Sequence, residues 1–110
     1  MDLTQRVDLY FRSVRERDID GLMALFAADA SMILPDGRQL SNLADIRQLF
    51  LALFAAQSVP TPIATIADDH RVASEIETRL ADGTVRRTAN FYHFDGDGRI
   101  NRLSHYARSA

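Results

Sequence analysis

The stretch Thr84-Val85-Arg86-Arg87-Thr88-Ala89-Asn90-Phe91-Tyr92-His93-Phe94, the link Asp95-Gly96-Asp97-Gly98 and the return Arg99-Ile100-Asn101-Arg102-Leu103-Ser104-His105-Tyr106-Ala107 read as one β-hairpin. Both arms carry the strand-favouring residue types, and Asp-Gly supplies the left-handed backbone that a tight turn demands. With Phe94 opposite Arg99, the antiparallel register pairs Asn90 with Leu103 and Thr88 with His105. Side chains alternate between faces. Arg86, Thr88, Asn90, Tyr92, Leu103 and His105 therefore share one face, and Phe91, His93, Ile100, Arg102 and Tyr106 the other. Neither set is cleanly apolar, so periodicity leaves open which face meets the rest of the chain. A partly polar pocket on one side with a dimer or solvent surface on the other gives this pattern, and so does a bulged strand.

Upstream, Ala81-Asp82-Gly83 joins the hairpin to a strand from Val72 to Leu80, and Ile63 to Ala67 forms another strand after a loop from Gln57 to Pro62. In the Val72 segment, Val72, Ser74, Ile76, Thr78 and Leu80 make the better buried face, which turns Glu75, Glu77 and Arg79 outward. Glu75 becomes a candidate base only if it turns inward. The first half of the chain has a helical period instead. Leu3, Val7, Tyr10, Phe11 and Val14 form one stripe, and Asp18 caps a short second helix burying Leu22, Leu25 and Phe26. A β run from Ala30 to Leu34 ends at Pro35-Asp36-Gly37. Ser41 or Asn42 then caps a third helix with the stripe Leu43, Ile46, Leu49, Phe50, Leu53 and Phe54. Helices first and strands afterwards predict a single α+β domain over residues 1–110, with three helices packed on a curved antiparallel sheet.

Composition narrows the function classes. Hydrophobic residues make up 46% and charged residues 25% of 110, enough for one core that folds unaided. The net charge of −2 offers no basic surplus for neutralising phosphates along a nucleic acid. No segment approaches the ~20 apolar residues of a membrane helix, and the start MDLTQRVDLY lacks the order of a secretion signal, so a cytoplasmic location is expected. With no cysteine, disulfides, thiolate metal sites and cysteine nucleophiles are all excluded. His93 and His105 fall on opposite faces and His70 in a turn elsewhere, so no metal site is expected. Nothing matches a phosphate loop, a dinucleotide fingerprint or a nucleophile elbow, and no cofactor is expected.

The run Tyr10-Phe11, Asp18-Ile19-Asp20-Gly21-Leu22-Met23-Ala24-Leu25-Phe26-Ala27-Ala28-Asp29-Ala30 and Pro35-Asp36-Gly37 resembles the opening of SnoaL-like and ketosteroid isomerase-like proteins of the nuclear transport factor 2-like superfamily. Asn90-Phe91-Tyr92-His93-Phe94-Asp95-Gly96-Asp97-Gly98-Arg99-Ile100 is similar to that superfamily's penultimate strand and hairpin. The resemblance implies a cone-shaped α+β domain with a pocket between helices and concave sheet, commonly in a homodimer. Aligned with a ketosteroid isomerase, Tyr10 falls on the oxyanion-hole tyrosine, Asn90 on the aspartic acid that assists it, and Leu34 on the general base. Leucine accepts no proton, so plain steroid isomerisation is not expected, while Tyr10 and Asn90 retain the groups to polarise a carbonyl. His105 falls where the similar limonene epoxide hydrolases carry an acidic group, and imidazole is a base near neutral pH.

Tyr10, Asn90 and His105 are thus the candidate catalytic residues, and Leu34, Phe54, Arg86, Thr88, Tyr92 and Leu103 the candidate lining for a small apolar ligand. Each also has an ordinary structural explanation: a core aromatic for Tyr10, a strand histidine bonded to a neighbour for His105, an exposed strand end for Arg86. Three functions compete. They are a cofactor-free isomerase, cyclase or lyase acting on an apolar carbonyl or polycyclic compound, a lipophilic-ligand binder without chemistry, and a homodimeric association domain.

Overall fold

The computed structural model describes residues 2–107. Helix α1, Leu3–Glu16, is started by a reciprocal cap, in which the Asp2 carboxylate accepts from the Gln5 amide at 2.8 Å while Gln5 Oε1 accepts from the Asp2 amide at 2.9 Å. It buries Val7, Tyr10, Phe11 and Val14, and ends where Arg17 takes a left-handed conformation, φ 55°. Asp18 caps α2, Ile19–Met23, by accepting from the Gly21 amide at 3.0 Å. A Cβ on Gly21 would collide with that carboxylate, so the cap itself requires glycine here. Helix α3, Leu43–Ala55, starts at Asn42, whose Oδ1 accepts from the Asp45 amide, which settles the choice between Ser41 and Asn42.

Six strands form one sheet: β1 Phe26–Ile33, β2 Gln39–Leu40, β3 Val59–Ala67, β4 Arg71–Arg79, β5 Val85–Phe94 and β6 Ile100–Ala107. Their order is β2-β1-β6-β5-β4-β3. The expectation of an antiparallel sheet is corrected at one place. β1 and β6 run parallel, with Met32 beside Leu103 and Ile33 beside Ser104, giving a mixed sheet. No hairpin joins these two strands; most of the chain lies between them, and so long a connection permits the parallel direction.

Other expectations change for equally local reasons. Phe26, expected on the second helix, opens β1, which therefore begins before Ala30. The expected loop from Gln57 to Pro62 is largely strand. β3 starts at Val59 and carries Pro60 and Pro62, tolerated because β3 lies at the sheet edge. The hairpin register also moves by two residues: Asn90 lies opposite His105, Tyr92 opposite Leu103 and Phe94 opposite Ile100. Arg99 belongs to the turn, its amide bonded to Asp95 Oδ1 and its carbonyl to the Asp95 amide. A shift of two preserves the faces, so Asn90, Tyr92, Leu103 and His105 still lie together. A bulge at His93/Phe94 brings Ile100 onto this face beside Phe94, contrary to expectation.

That face meets the helices, which resolves the ambiguity left by periodicity. α1 lies over β3 and β4, and α3 over β1. Between them sits a core of Val7, Tyr10, Phe11, Leu22, Phe26, Met32, Leu34, Ile46, Phe50, Val72, Ile76, Tyr92, Ile100 and Leu103. Glu75 and Arg79 are exposed on the outer face as expected, which removes Glu75 as an inward base. No helix among the described residues is long and apolar enough to cross a membrane.

Candidate active site

The sheet's inner face is built in lateral rows, because residues paired across strands point the same way. One row is Ala67, Val72, Tyr92, Leu103 and Met32, almost wholly apolar. Its neighbour is Thr65, Ser74, Asn90 and His105. A polar row thus crosses the inner face, buried at Ser74 and Asn90, half-buried at His105 and exposed at Thr65, and bounded on one side by hydrocarbon and tyrosine.

Burial makes this row expensive unless every group is bonded. Asn90 is 4% exposed and Ser74 1%. Asn90 Nδ2 donates to Tyr92 Oη at 2.9 Å, and Asn90 Oδ1 meets His105 Nδ1 at 2.5 Å. The Thr65 and Ser74 hydroxyls bond each other at 3.0 Å. An amide oxygen only accepts, so His105 Nδ1 must carry the proton in that bond. In the neutral ring, Nε2 is then left with a lone pair. Burial lowers the His105 pKa below its ordinary value, which keeps the imidazole neutral at pH 7.

The tyrosines complete the cluster. Tyr10 packs edge-on against Tyr92, with ring centroids 5.2 Å apart, and against Phe11 and Phe50. Burial pushes the Tyr10 pKa well up, and the hydrogen bond with Asn90 offsets part of that rise. The Tyr92 pKa is raised by burial first and by neighbouring Tyr10 second. Both phenols remain protonated donors through the physiological range. Asn90 is the hub: it bonds the Tyr92 hydroxyl and fixes the histidine tautomer, while Tyr10 packs against the Tyr92 ring.

The structure therefore brings Tyr10, Asn90, Tyr92 and His105 together. Leu34 is buried in the surrounding core and Phe54 packs partly buried against it, while Leu103 lies fully buried beside Tyr92. Arg86 stands exposed at the far end of β5, away from Asn90. Thr88 is one row beyond Asn90, and its buried Oγ1 has no hydrogen-bond partner. It borders a cavity of about 340 Å³ lined by Ile63, Glu75, Ile76, Arg87 and Thr88. A second cavity, of about 420 Å³, lies on the sheet's other side at Ser31, His70, Arg71, His93, Phe94, Asn101 and Arg102. Neither is lined by Tyr10, Asn90 or His105. Ser74 and Thr65 were missed as site residues. The alternation that buries Ser74 was readable, whereas Thr65 needed the β3 register.

Among the described residues, no group of three or more His, Asp and Glu stands close enough to hold a metal ion. His93 bonds Arg102 on the outer face while His105 bonds Asn90 on the inner, so the two rings are separated by the sheet.

Comparison with known proteins bears on the fold and the family. A search of curated proteins returns no significant match. Among solved structures, a candidate ketosteroid isomerase from Kribbella flavida DSM 17836 superposes with TM-score 0.89 at 20% identity, covering 98% of this chain and 78% of that one. SalBIII, described as an epoxide hydrolase/cyclase-like enzyme in pyran ring formation in polyether salinomycin, gives 0.86 at 19%, covering 96% and 90%. A protein from Sphaerobacter thermophilus gives 0.86 at 27%, covering 100% and 99%. Structures of nuclear transport factor 2-like and cystatin-like fold are among the similar ones. The SnoaL-like domain family matches residues 7–103, and the chain belongs to that family.

Proposed function

We propose that the protein is a cofactor-free isomerase or cyclase acting on a small apolar carbonyl compound. The observation that carries this reading is the His105–Asn90 bond, which leaves Nε2 of a neutral, half-buried imidazole as a base beside two protonated tyrosines. In the proposed step, Nε2 removes a proton from the carbon next to the carbonyl, and the electron pair moves onto the carbonyl oxygen. Tyr10 and Tyr92 hydroxyls donate to that oxygen, the Tyr92 oxygen being held by Asn90. The imidazolium then returns the proton to the far carbon of a conjugated enolate for isomerisation, or the enolate carbon attacks a second carbonyl of the same substrate and the imidazolium protonates the alkoxide that forms. Leu34 has no part in proton transfer. A buried polar row in place of an apolar one is a local departure of the kind functional sites carry, which supports this reading.

The test is deuterium wash-in from D2O to a panel of apolar ketones, read by mass spectrometry. Labelling next to the carbonyl is expected. Saturable binding with the ligand recovered unlabelled would make this a binding protein instead.

The pH dependence has a defined sign. Because burial lowers the His105 pKa, the unfolded chain binds this proton more readily than the folded one. Stability from this group is complete above its ordinary value of about 6.5 and falls as pH drops toward the lowered folded value. The acid limb of kcat/KM follows the folded pKa and lies below 6.5. Urea midpoints between pH 5 and 8 (about), compared with His105→Gln, check the first statement.

We further propose that a second copy covers the outer sheet face. Ile66, Ala73, Phe91, Ser104 and Ile33 are joined through successive pairings in one row across that face, with Tyr106 in the next. Ile66 is 75% exposed and Tyr106 59%. Sedimentation should give a dimer for the native chain and a monomer for Ile66→Asp; a native monomer would remove the proposal.

A further inference from the structure

The bulge in the last hairpin builds a second site, on the opposite side of the sheet from His105. His93 pairs with Arg102 and Phe94 with Ile100, so β6 carries one extra residue between Ile100 and Leu103. Both of those flanking side chains are buried on the inner face. Asn101 and Arg102, left between them, both line the outer cavity. The next strands supply the rest of the same lateral row: Ser31 beside Arg102, and Arg71 beside His93.

The row is built, not merely adjacent. Asp68 Oδ1 accepts from the His70 and Arg71 amides at 2.9 and 2.8 Å, while Oδ2 accepts from Arg71 Nε and Nη2 at 2.9 and 2.7 Å. The His70 carbonyl, in turn, accepts from the Phe94 amide at 3.0 Å, which pins this turn to β5. Arg71 is thereby held in place where it lines the cavity. Arg102 Nη2 meets His93 Nε2 at 2.9 Å. Guanidinium only donates, so His93 Nε2 accepts and Nδ1 carries the ring proton. Of the two cations, only Arg71 has a carboxylate partner among the described residues, namely Asp68.

We propose that this cavity binds a phosphate group. Two guanidinium ions, the His70 and His93 rings, the Ser31 hydroxyl and the Asn101 amide border about 420 Å³, and one carboxylate, Asp68, faces the cations. So many donors around a net positive centre suit a tetrahedral oxyanion with several acceptor oxygens better than a two-oxygen carboxylate. The site is independent of the proton-transfer reading, since it lies across the sheet from Asn90 and His105.

Titration of the full chain with inorganic phosphate, followed by NMR of the Arg71, His93, Asn101 and Arg102 signals, tests it. A phosphomonoester is run in parallel to identify the source of the phosphate group by the tighter binding. Expected are saturable shifts absent at equal ionic strength of chloride, and about tenfold weaker binding in Arg102→Gln and in Asn101→Ala. Equal response to acetate, or unsaturable shifts, would overturn the assignment. So would unchanged affinity in both variants. If instead Arg102→Gln loosens a dimer and phosphate leaves the spectrum unmoved, Arg102 answers a partner carboxylate and the proposal fails.

Discussion

His105→Ala lowers the rate of proton transfer by about 10²–10⁴-fold, the usual contribution of a positioned base. The same change leaves Asn90 Oδ1 without its partner, and that alone destabilises by ~1–3 kcal/mol. The two effects separate experimentally. Rates measured well below the thermal midpoint report chemistry only, and added imidazole restores part of the lost rate if the missing group is a base. A variant that keeps its rate within about threefold, on a substrate the native protein turns over, contradicts the mechanism.

Tyr92 gives the largest stability effect and, through a paired variant, a second view of the site. It is fully buried, packed against Tyr10 and Phe94, and its hydroxyl accepts from Asn90. Tyr92→Ala opens a cavity in the centre of the core and is expected to lose ~3–5 kcal/mol. Tyr92→Phe keeps the ring and removes only the hydroxyl, for about 1 kcal/mol. Chemical denaturation of the two variants should show that gap. If Tyr92 only fills space, Tyr92→Phe retains full activity; if it polarises a carbonyl, the nearly native Tyr92→Phe is impaired in kcat more than in KM.

The hairpin from Thr84 to Ala107 was legible because alternation survives a register error of two. Asn90, Tyr92, Leu103 and His105 were grouped on one face, although the expected partners Asn90–Leu103 and Thr88–His105 were wrong. What defeated the register was the bulge at His93/Phe94 and the retention of Arg99 in the turn by its bonds to Asp95. The bulge also hid the inward turn of Ile100 and the outward turn of Asn101, whereas Arg102 was read correctly on the face of His93. Phe26 was misplaced for another reason: a buried aromatic directly after a helix satisfies either period. Pro60 and Pro62 masked β3, since proline argues against a strand until its edge position is known.

Alternation had already set Asn90 and His105 on one face, but Tyr10 was named from resemblance to a family, and the sequence offered no means of joining it to them. Their junction depends on Tyr92, which had been taken as pocket lining. Asn90 has one amide, and its oxygen and nitrogen face different neighbours; only coordinates assign His105 and Tyr92 to those two ends. Arg86 shows the converse. It shares the correct face yet lies exposed near the strand's end, beyond the covering helices. Face membership was readable and depth along the strand was not.

The measurement that tests the central claim most directly is the side-chain 15N spectrum of His105 at neutral pH. A proton on Nδ1 and a bare, pyridine-like Nε2 are predicted, with this pattern lost in Asn90→Ala. A ring protonated on Nε2, or doubly protonated at pH 7, would contradict it.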